Sequence, residues 1–333
     1  MKKLTLILLV VSLLEGDVVT KVGTTAAQFL KIGIGSRATA MGEAFVAVAN
    51  DATALYWNPS GIAWLRKNEF FFNHINWLAD IKYSYFGMVV PVGRYGVVGG
   101  SIASLSTGDM MVRTVDKPEG TGEYFNFSDL LVGVTYAKNF TDRFSFGVQM
   151  KYAYEKLWHM TAGGFALDIS LLYIAQFHDL RLGMNFANFG GKFKLEGEDT
   201  RVIYDIDPAG DPPNIVADLR TKAYDLPLRF QVGVAGELFK TDKAYLTLAV
   251  DAVHPNDNTE YLNLGAELGL LNILFLRGGY RGLFMKNNEG GLSFGAGLKY
   301  RAPGSPLYLS VDYSYVDYGR LKGVSRYSLG VAF

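Results

Sequence analysis

The sequence has no cysteine in its 333 residues. Disulfides, thiolate chemistry and the lipid-bearing cysteine of a bacterial lipoprotein are therefore all excluded. Histidine is almost as scarce. His74, His159, His178 and His254 fall in separate segments without paired spacing, so no metal site is expected. An excess of one charge is also missing, because 32 basic residues balance 32 acidic ones. That leaves no electrostatic footprint for nucleic acid. Proline is low at 10, against 38 glycines, 20 tyrosines and 22 phenylalanines. Such a mixture suits strands with amphipathic aromatic surfaces better than helices.

No run of 18 apolar residues occurs, which excludes helical membrane spans. The apolar stretch at 4–14 follows Lys2 and Lys3. It is too short to cross about 30 Å of hydrocarbon as a helix but suits the core of a secretory signal. Residues 1–17 are accordingly read as an export signal.

From residue 68 onward the chain divides into fourteen alternating segments, near 68–77, 81–93, 95–107, 124–140, 143–157, 160–175, 179–190, 226–240, 243–254, 259–270, 272–282, 289–302, 305–318 and 324–333. Phe144, Phe146, Val148, Met150, Tyr152 and Tyr154 alternate with Ser145, Gly147, Gln149, Lys151, Ala153 and Glu155. Period-two alternation marks strands with one apolar face. Charges keep mostly to the polar parity, as at Lys151, Glu155, Asp168, Arg181, Arg229, Glu237, Asp251, Glu267, Arg277, Lys299 and Asp312. A basic side chain facing lipid at mid-bilayer costs about 2–4 kcal/mol, so this confinement fits an all-β transmembrane antiparallel barrel whose lumen carries a polar network. A soluble sandwich gives the same alternation. Turn lengths separate the two. If the first strand runs outward, the inner turns at 93–96, 139–143, 176–179, 240–242, 270–272 and 302–305 are short, whereas the outer connections at 106–123 and 191–225 are long. That asymmetry is the outer-membrane pattern. Tyr95, Phe140, Phe144, Phe177, Tyr245 and Tyr300 lie beside the inner turns, where an aromatic belt is expected. In the last strand Tyr327, Leu329, Val331 and Phe333 alternate with small or polar residues, resembling the signal by which such barrels are recognised for assembly.

The stretch 33–65 is of another kind. Small residues crowd its first half, and Met41, Ala44, Phe45 and Val48 take the spacing of one helical face. Asp51 is placed to cap a short turn ending at Trp57. Asn58-Pro59 stops that turn, because proline pushes the preceding residue out of the helical region. Gly33-x-Gly35-x-x-Ala38 fits a dinucleotide-binding turn only superficially, since no strand-helix-strand unit follows. Gly291-x-Ser293-x-Gly295 matches a nucleophile elbow but sits within an alternating strand rather than at a strand-to-helix turn. The acidic loop with Glu196, Glu198, Asp199, Asp205, Asp207 and Asp211 lacks the ligand spacing of a calcium loop.

Residues 29–65, FLKIGIGSRATAMGEAFVAVANDATALYWNPSGIAWL, resemble the N-terminal signature of the PorV/PorQ family of bacterial outer-membrane proteins. NPSGI at 58–62 stands where that family more often has NPAGL. Residues 251–268, DAVHPNDNTEYLNLGAEL, add a second patch of resemblance. The family is similar to the FadL-type hydrocarbon transporters, in which a comparable asparagine-proline segment belongs to a hatch inside the barrel. The resemblance implies a hatch over residues 18–67 built on Gly33, Gly35, Arg37, Met41, Gly42, Phe45, Asp51, Trp57, Asn58, Pro59 and Gly61, ahead of a barrel over 68–333. It also implies a non-enzymatic protein of the bacterial outer membrane, without cofactor, that meets outer-membrane lipid and the barrel-assembly machinery. Two functions stay open. One is a type IX secretion component engaging the translocon and secreted proteins with C-terminal sorting domains; the other is a FadL-like channel for fatty acids or other hydrophobic small molecules.

Overall fold

The computed structural model describes residues 21–204, 215–285 and 288–333. The expected export signal and three of the acidic-loop residues, Asp205, Asp207 and Asp211, lie outside the described residues.

Every segment expected to be a strand is one. They are β1 Glu69–Asn76, β2 Lys82–Pro91, β3 Val97–Ser106, β4 Phe127–Thr141, β5 Phe144–Leu157, β6 Met160–Ile174, β7 Arg181–Gly190, β8 Arg229–Lys240, β9 Ala244–Pro255, β10 Tyr261–Leu270, β11 Leu274–Leu283, β12 Leu292–Arg301, β13 Tyr308–Asp317 and β14 Gly323–Ala332. Each pairs antiparallel with its neighbours in sequence, and β14 returns to β1 with Ala332 opposite Glu69. The result is a closed fourteen-stranded barrel. Closure removes the free sheet edges that would otherwise leave backbone groups unpaired in lipid.

Burial separates this barrel from a soluble sandwich. Along β5 the polar side chains are buried, with Gln149 2% and Lys151 6% exposed, while Met150 between them is 56% exposed. The same inversion puts Val134, Phe165, Phe294 and Leu298 on the outside and Thr135, Asp168 and Ser293 within. A soluble sheet turns its apolar face to a core. Here that face surrounds the barrel, as contact with lipid requires.

Residues 24–65 supply the apolar contents of the interior. Ile34, Ala38, Met41, Phe45, Leu55, Trp57 and Ile62 are all essentially inaccessible. The segment forms only short turns of helix, including Ser36–Ala40, Ala54–Trp57 and a 3-10 stretch at Pro59–Trp64. The helix expected to run through Met41, Ala44, Phe45 and Val48 ends instead at Ala40, because Gly42 and Glu43 adopt left-handed φ values of 62° and 63°. The barrel wall imposes this break. Gly42 donates its amide to Ser293 Oγ at 3.0 Å, while the amides of Phe45 and Val46 both donate to Asp251 Oδ2, at 2.8 and 2.9 Å. Amides committed to wall side chains are withdrawn from helical bonding. Gly42 also lies against Gly279 of β11, where a Cβ would collide with the backbone of Gly42.

Asp51 caps as expected, accepting from the Thr53 amide at 2.9 Å ahead of the Ala54–Trp57 turn. Asn58 is extended, at φ −161° and ψ 90°, and ends that turn before Pro59. The long outer connections hold small hairpins, Met110–Met111 with Tyr124–Phe125 and Arg201–Tyr204 with Ile215–Asp218.

Candidate functional site

The residues singled out in the N-terminal segment converge on two anchoring points. The first is the asparagine-proline turn. Asn58 Nδ2 donates to the carbonyls of Val46, at 2.7 Å, and of Leu171 in β6, at 3.1 Å. Its Oδ1 accepts from Ser60 Oγ at 2.6 Å, and the Ser60 amide donates to Ser170 Oγ at 2.8 Å. A single amide side chain thus joins two parts of the segment to the wall, a geometry that aspartate, having no donor when ionised, does not reproduce. Gly147 of β5 lets the turn approach, since a Cβ there would strike the Ser60 backbone. Trp57 fills the space beneath, donating Nε1 to the Ile34 carbonyl at 3.0 Å and standing edge-on to Phe45 at 6.3 Å. Arg229 of β8 lies over the Trp57 ring at 5.7 Å, a favourable cation-π position.

The second anchor is ionic. Arg37 makes a two-pronged contact with Glu267 of β10, Nε to Oε2 at 2.7 Å and Nη2 to Oε1 at 2.9 Å, and reaches Asp51 Oδ2 at 2.8 Å. Glu267 is shared with Arg277 of β11 at 2.7 Å, and Arg277 continues to Asp312 of β13 at 2.5 Å. The charges alternate along the row Asp51, Arg37, Glu267, Arg277, Asp312, so each group inside it faces the opposite sign on both sides. Charge-assisted forked contacts of this kind are the strong class of hydrogen bond. A separate wall cluster joins Lys151 of β5 to Asp168 of β6 at 2.7 Å and to Asn188 of β7 at 2.5 Å.

A family model described as "Type IX secretion system protein PorV" matches residues 17–204, more than half of the chain. The chain belongs to the PorV family. No curated protein matches it. Among solved structures, the toluene transporter TodX of Pseudomonas putida superposes with a TM-score of 0.57 at 13% identity, over 90% of this chain and 97% of that one. The toluene transporter TbuX of Ralstonia pickettii gives 0.56 at 14% identity, with the same coverage. A FadL homologue of Pseudomonas aeruginosa gives 0.51 at 12% identity, over 95% of this chain and 98% of that one. At such identities the likeness establishes a shared FadL-like barrel fold. Family, closed barrel and outward apolar face together place this PorV-family protein in the bacterial outer membrane.

The expected lumen network divides in this PorV-family barrel. Lys151 with Asp168, and Glu267 with Arg277 and Asp312, form the contacts described, while Asp251 holds the segment's amides. Glu237 and Lys299 do not join them. Glu237 sits at a β-bulge near the inner rim and pairs with Lys240 at 3.0 Å, and Lys299 is exposed over the Tyr308 ring at 5.5 Å. Arg181, half-buried, opens β7 at the same rim. At the ends of strands, parity still aims a side chain inward, but water reaches it. Tyr245 departs from the expected belt as well, because its hydroxyl turns to Glu267 Oε1 at 3.3 Å. Tyr95, Phe140, Phe177 and Tyr300 are exposed at the inner rim as expected. Ser293 holds the segment rather than heading a nucleophile elbow, its hydroxyl donating to the Ala40 carbonyl at 3.1 Å.

Sequence reading missed Glu43, Arg281 and Asp129. Glu43 meets Arg281 at 3.0 Å, and Asp129 is buried directly across from Glu155. Arg281 shares parity with Arg277, and Asp129 with Thr135, so alternation carried the signal for both.

The segment's first residues are tied to the outer rim. Lys31 Nζ and Thr25 Oγ1 both bond Asp257 Oδ2, at 2.7 and 2.8 Å, in the outer turn between β9 and β10. Burial alone would raise the Asp257 carboxyl, but the bonds and charge of Lys31, with Thr25, hold it below its usual range. A carboxylate depressed on folding adds stability that is complete above its unfolded value, about 3.9, and is lost as pH falls through the folded value. Amide protection factors over residues 26–32 are therefore expected to drop on acidification below about pH 4, with the strands still protected. Asp257→Asn is expected to abolish that pH dependence; protection in the parent that does not change with pH would contradict the tether.

Proposed function

We propose that this barrel is an outer-membrane component of type IX secretion that engages secreted proteins bearing C-terminal sorting domains, together with the large translocon. The family match over residues 17–204 carries this reading. The outer surface supports it. In the hairpin of the 191–225 connection, Ile203 and Val216 are direct partners and are 74% and 72% exposed. Aliphatic side chains bared on an outer loop favour contact with protein. On the same proposal, residues 18–67 act as a hatch that keeps the lumen closed while the outer loops make contacts, so cargo meets the outside of the barrel and does not thread it. The alternating Tyr327, Leu329, Val331 and Phe333 of β14 are assigned to recognition by the barrel-assembly machinery, and no catalytic step is assigned to any residue.

Affinity purification of the native detergent-solubilised protein, with mass spectrometry of proteins and small molecules, tests the proposal. Recovery of a large outer-membrane translocon, or of secreted proteins sharing a C-terminal domain, is the expected result. Bound lipid or fatty acid without such proteins would replace it with the second reading, uptake of small hydrophobic molecules. That reading draws on the toluene transporters named above and on a cavity of about 700 Å³ at the outer end of the lumen. It requires that substituting Phe45 or Trp57 release the bound lipid.

A further inference from the structure

The outer-end cavity has an unusual wall. At about 700 Å³ it falls within the range of small-molecule pockets. Phe29 of the N-terminal segment, Trp77, Leu105 and Phe127 give it an apolar lining, into which Asp129 and Glu155 also project. These two carboxyl groups are direct cross-strand partners on β4 and β5. Side chains so placed have Cβ atoms about 4.5–5.5 Å apart, and like charges there destabilise the pair. Neither group escapes to water, since Asp129 is 3% exposed and Glu155 9%.

The charges around the cavity do not balance. Its two cations already have partners, Lys31 with Asp257 at 2.7 Å and Arg281 with Glu43 at 3.0 Å. Glu155 has only the backbone amide of Ala27 beside it, and Asp129 Oδ1 is buried with no hydrogen-bond partner among the described residues. Burying an unmatched carboxylate is costly, and elsewhere in this lumen the row through Glu267 shows acid answered by arginine. Among the described residues, no positive group answers this pair. A calcium ion is a poor fit because it takes six to eight oxygen ligands, whereas the wall around this pair is apolar and aromatic.

We propose that the cavity binds a primary organic amine, its ammonium between Asp129 and Glu155 and its apolar body against Phe29, Trp77 and Phe127. The inference rests on the cavity alone and holds whether or not the barrel serves secretion.

The test uses the full-length protein in lipid nanodiscs, titrated calorimetrically with 2-phenylethylamine and with its neutral analogue 2-phenylethanol. Saturable binding of the amine, at least about tenfold tighter than the alcohol, is expected, the difference of one modest ion pair. Asp129→Asn with Glu155→Gln is expected to erase that preference while leaving alcohol binding in place. Equal affinity for amine and alcohol in the unaltered protein would overturn the proposal, and needs no variant to fold. Calcium binding lost in the double variant, without amine binding, would overturn it equally.

Discussion

Deleting residues 25–60 is expected to convert the barrel from a closed state to a continuously open pore in planar bilayers. Fourteen strands enclose a lumen wider than wall side chains of ordinary size can fill. The wall of this barrel makes no attempt to fill it: Gly147 and Gly279 face inward where the segment presses against β5 and β11. The volume is taken instead by Met41, Phe45, Leu55, Trp57 and Ile62, all inaccessible to water. Removing them leaves polar strand faces and glycines around a water-filled channel. No barrel strand takes its ladder partner from residues 25–60, and the sheet closes through β1 and β14, so the barrel has no need of the segment for its strand pairing. Folding of the deleted protein is checked by its heat-modifiable migration on gels, and conductance is then read channel by channel. A folded deletion variant with unchanged conductance would refute the hatch assigned to residues 18–67.

The strands were legible because one physical constraint acts on them all. Lipid outside and a filled lumen inside force alternation at each position, and Phe144 through Glu155 show it without interruption. Ends of strands were less legible. Glu237 and Lys299 keep the inward parity but sit at a rim where solvent, not lipid, sets the cost, and Tyr245 turns its hydroxyl to Glu267. The N-terminal segment was legible in its turn chemistry and illegible in its path. Asp51 and Asn58 act within a few residues of themselves, through capping and proline rules that are local. The spacing of Met41, Ala44, Phe45 and Val48 spoke for a helix, and all four are indeed buried. Burial there comes from walls on every side, so apolar side chains carry no helical period, and the hydrogen bonds to Ser293 and Asp251 decide the backbone instead. Those partners lie more than 200 residues away in sequence. No local pattern encodes such a pairing.

Distance in sequence also explains why the ionic row escaped the reading, although Arg37, Glu267, Arg277 and Asp312 were each recognised singly. Arg37 and Glu267 are separated by 230 positions and meet only when the segment is inside the closed barrel. The row joins the segment to β10, β11 and β13 at one side, while Asn58 and Ser60 join it to β6 at another. Two anchors on different strands restrain rotation as well as withdrawal, which a single tether would not.

Glu267→Ala is accordingly expected to be the most damaging single substitution in the interior. It leaves Arg37 with Asp51 and Arg277 with Asp312 but removes the carboxylate between the two guanidinium groups, turning the middle of the row from attraction into repulsion. Removing one partner of a buried pair costs about 3–5 kcal/mol. The loss is expected first in the segment, as weakened amide protection over residues 36–50, and then as a lower denaturant midpoint for the barrel in lipid. Replacing Arg37 and Glu267 together by methionine separates charge from packing. The double variant is expected to lose less than Glu267→Ala, because no unmatched guanidinium remains opposite Arg277 and the volume is kept. If Glu267→Ala instead falls within about 0.5 kcal/mol of the parent, as surface substitutions do, the row is incidental to the seating of the segment. In that case the asparagine-proline turn and the bonds to Asp251, Ser293 and Asp257 hold it.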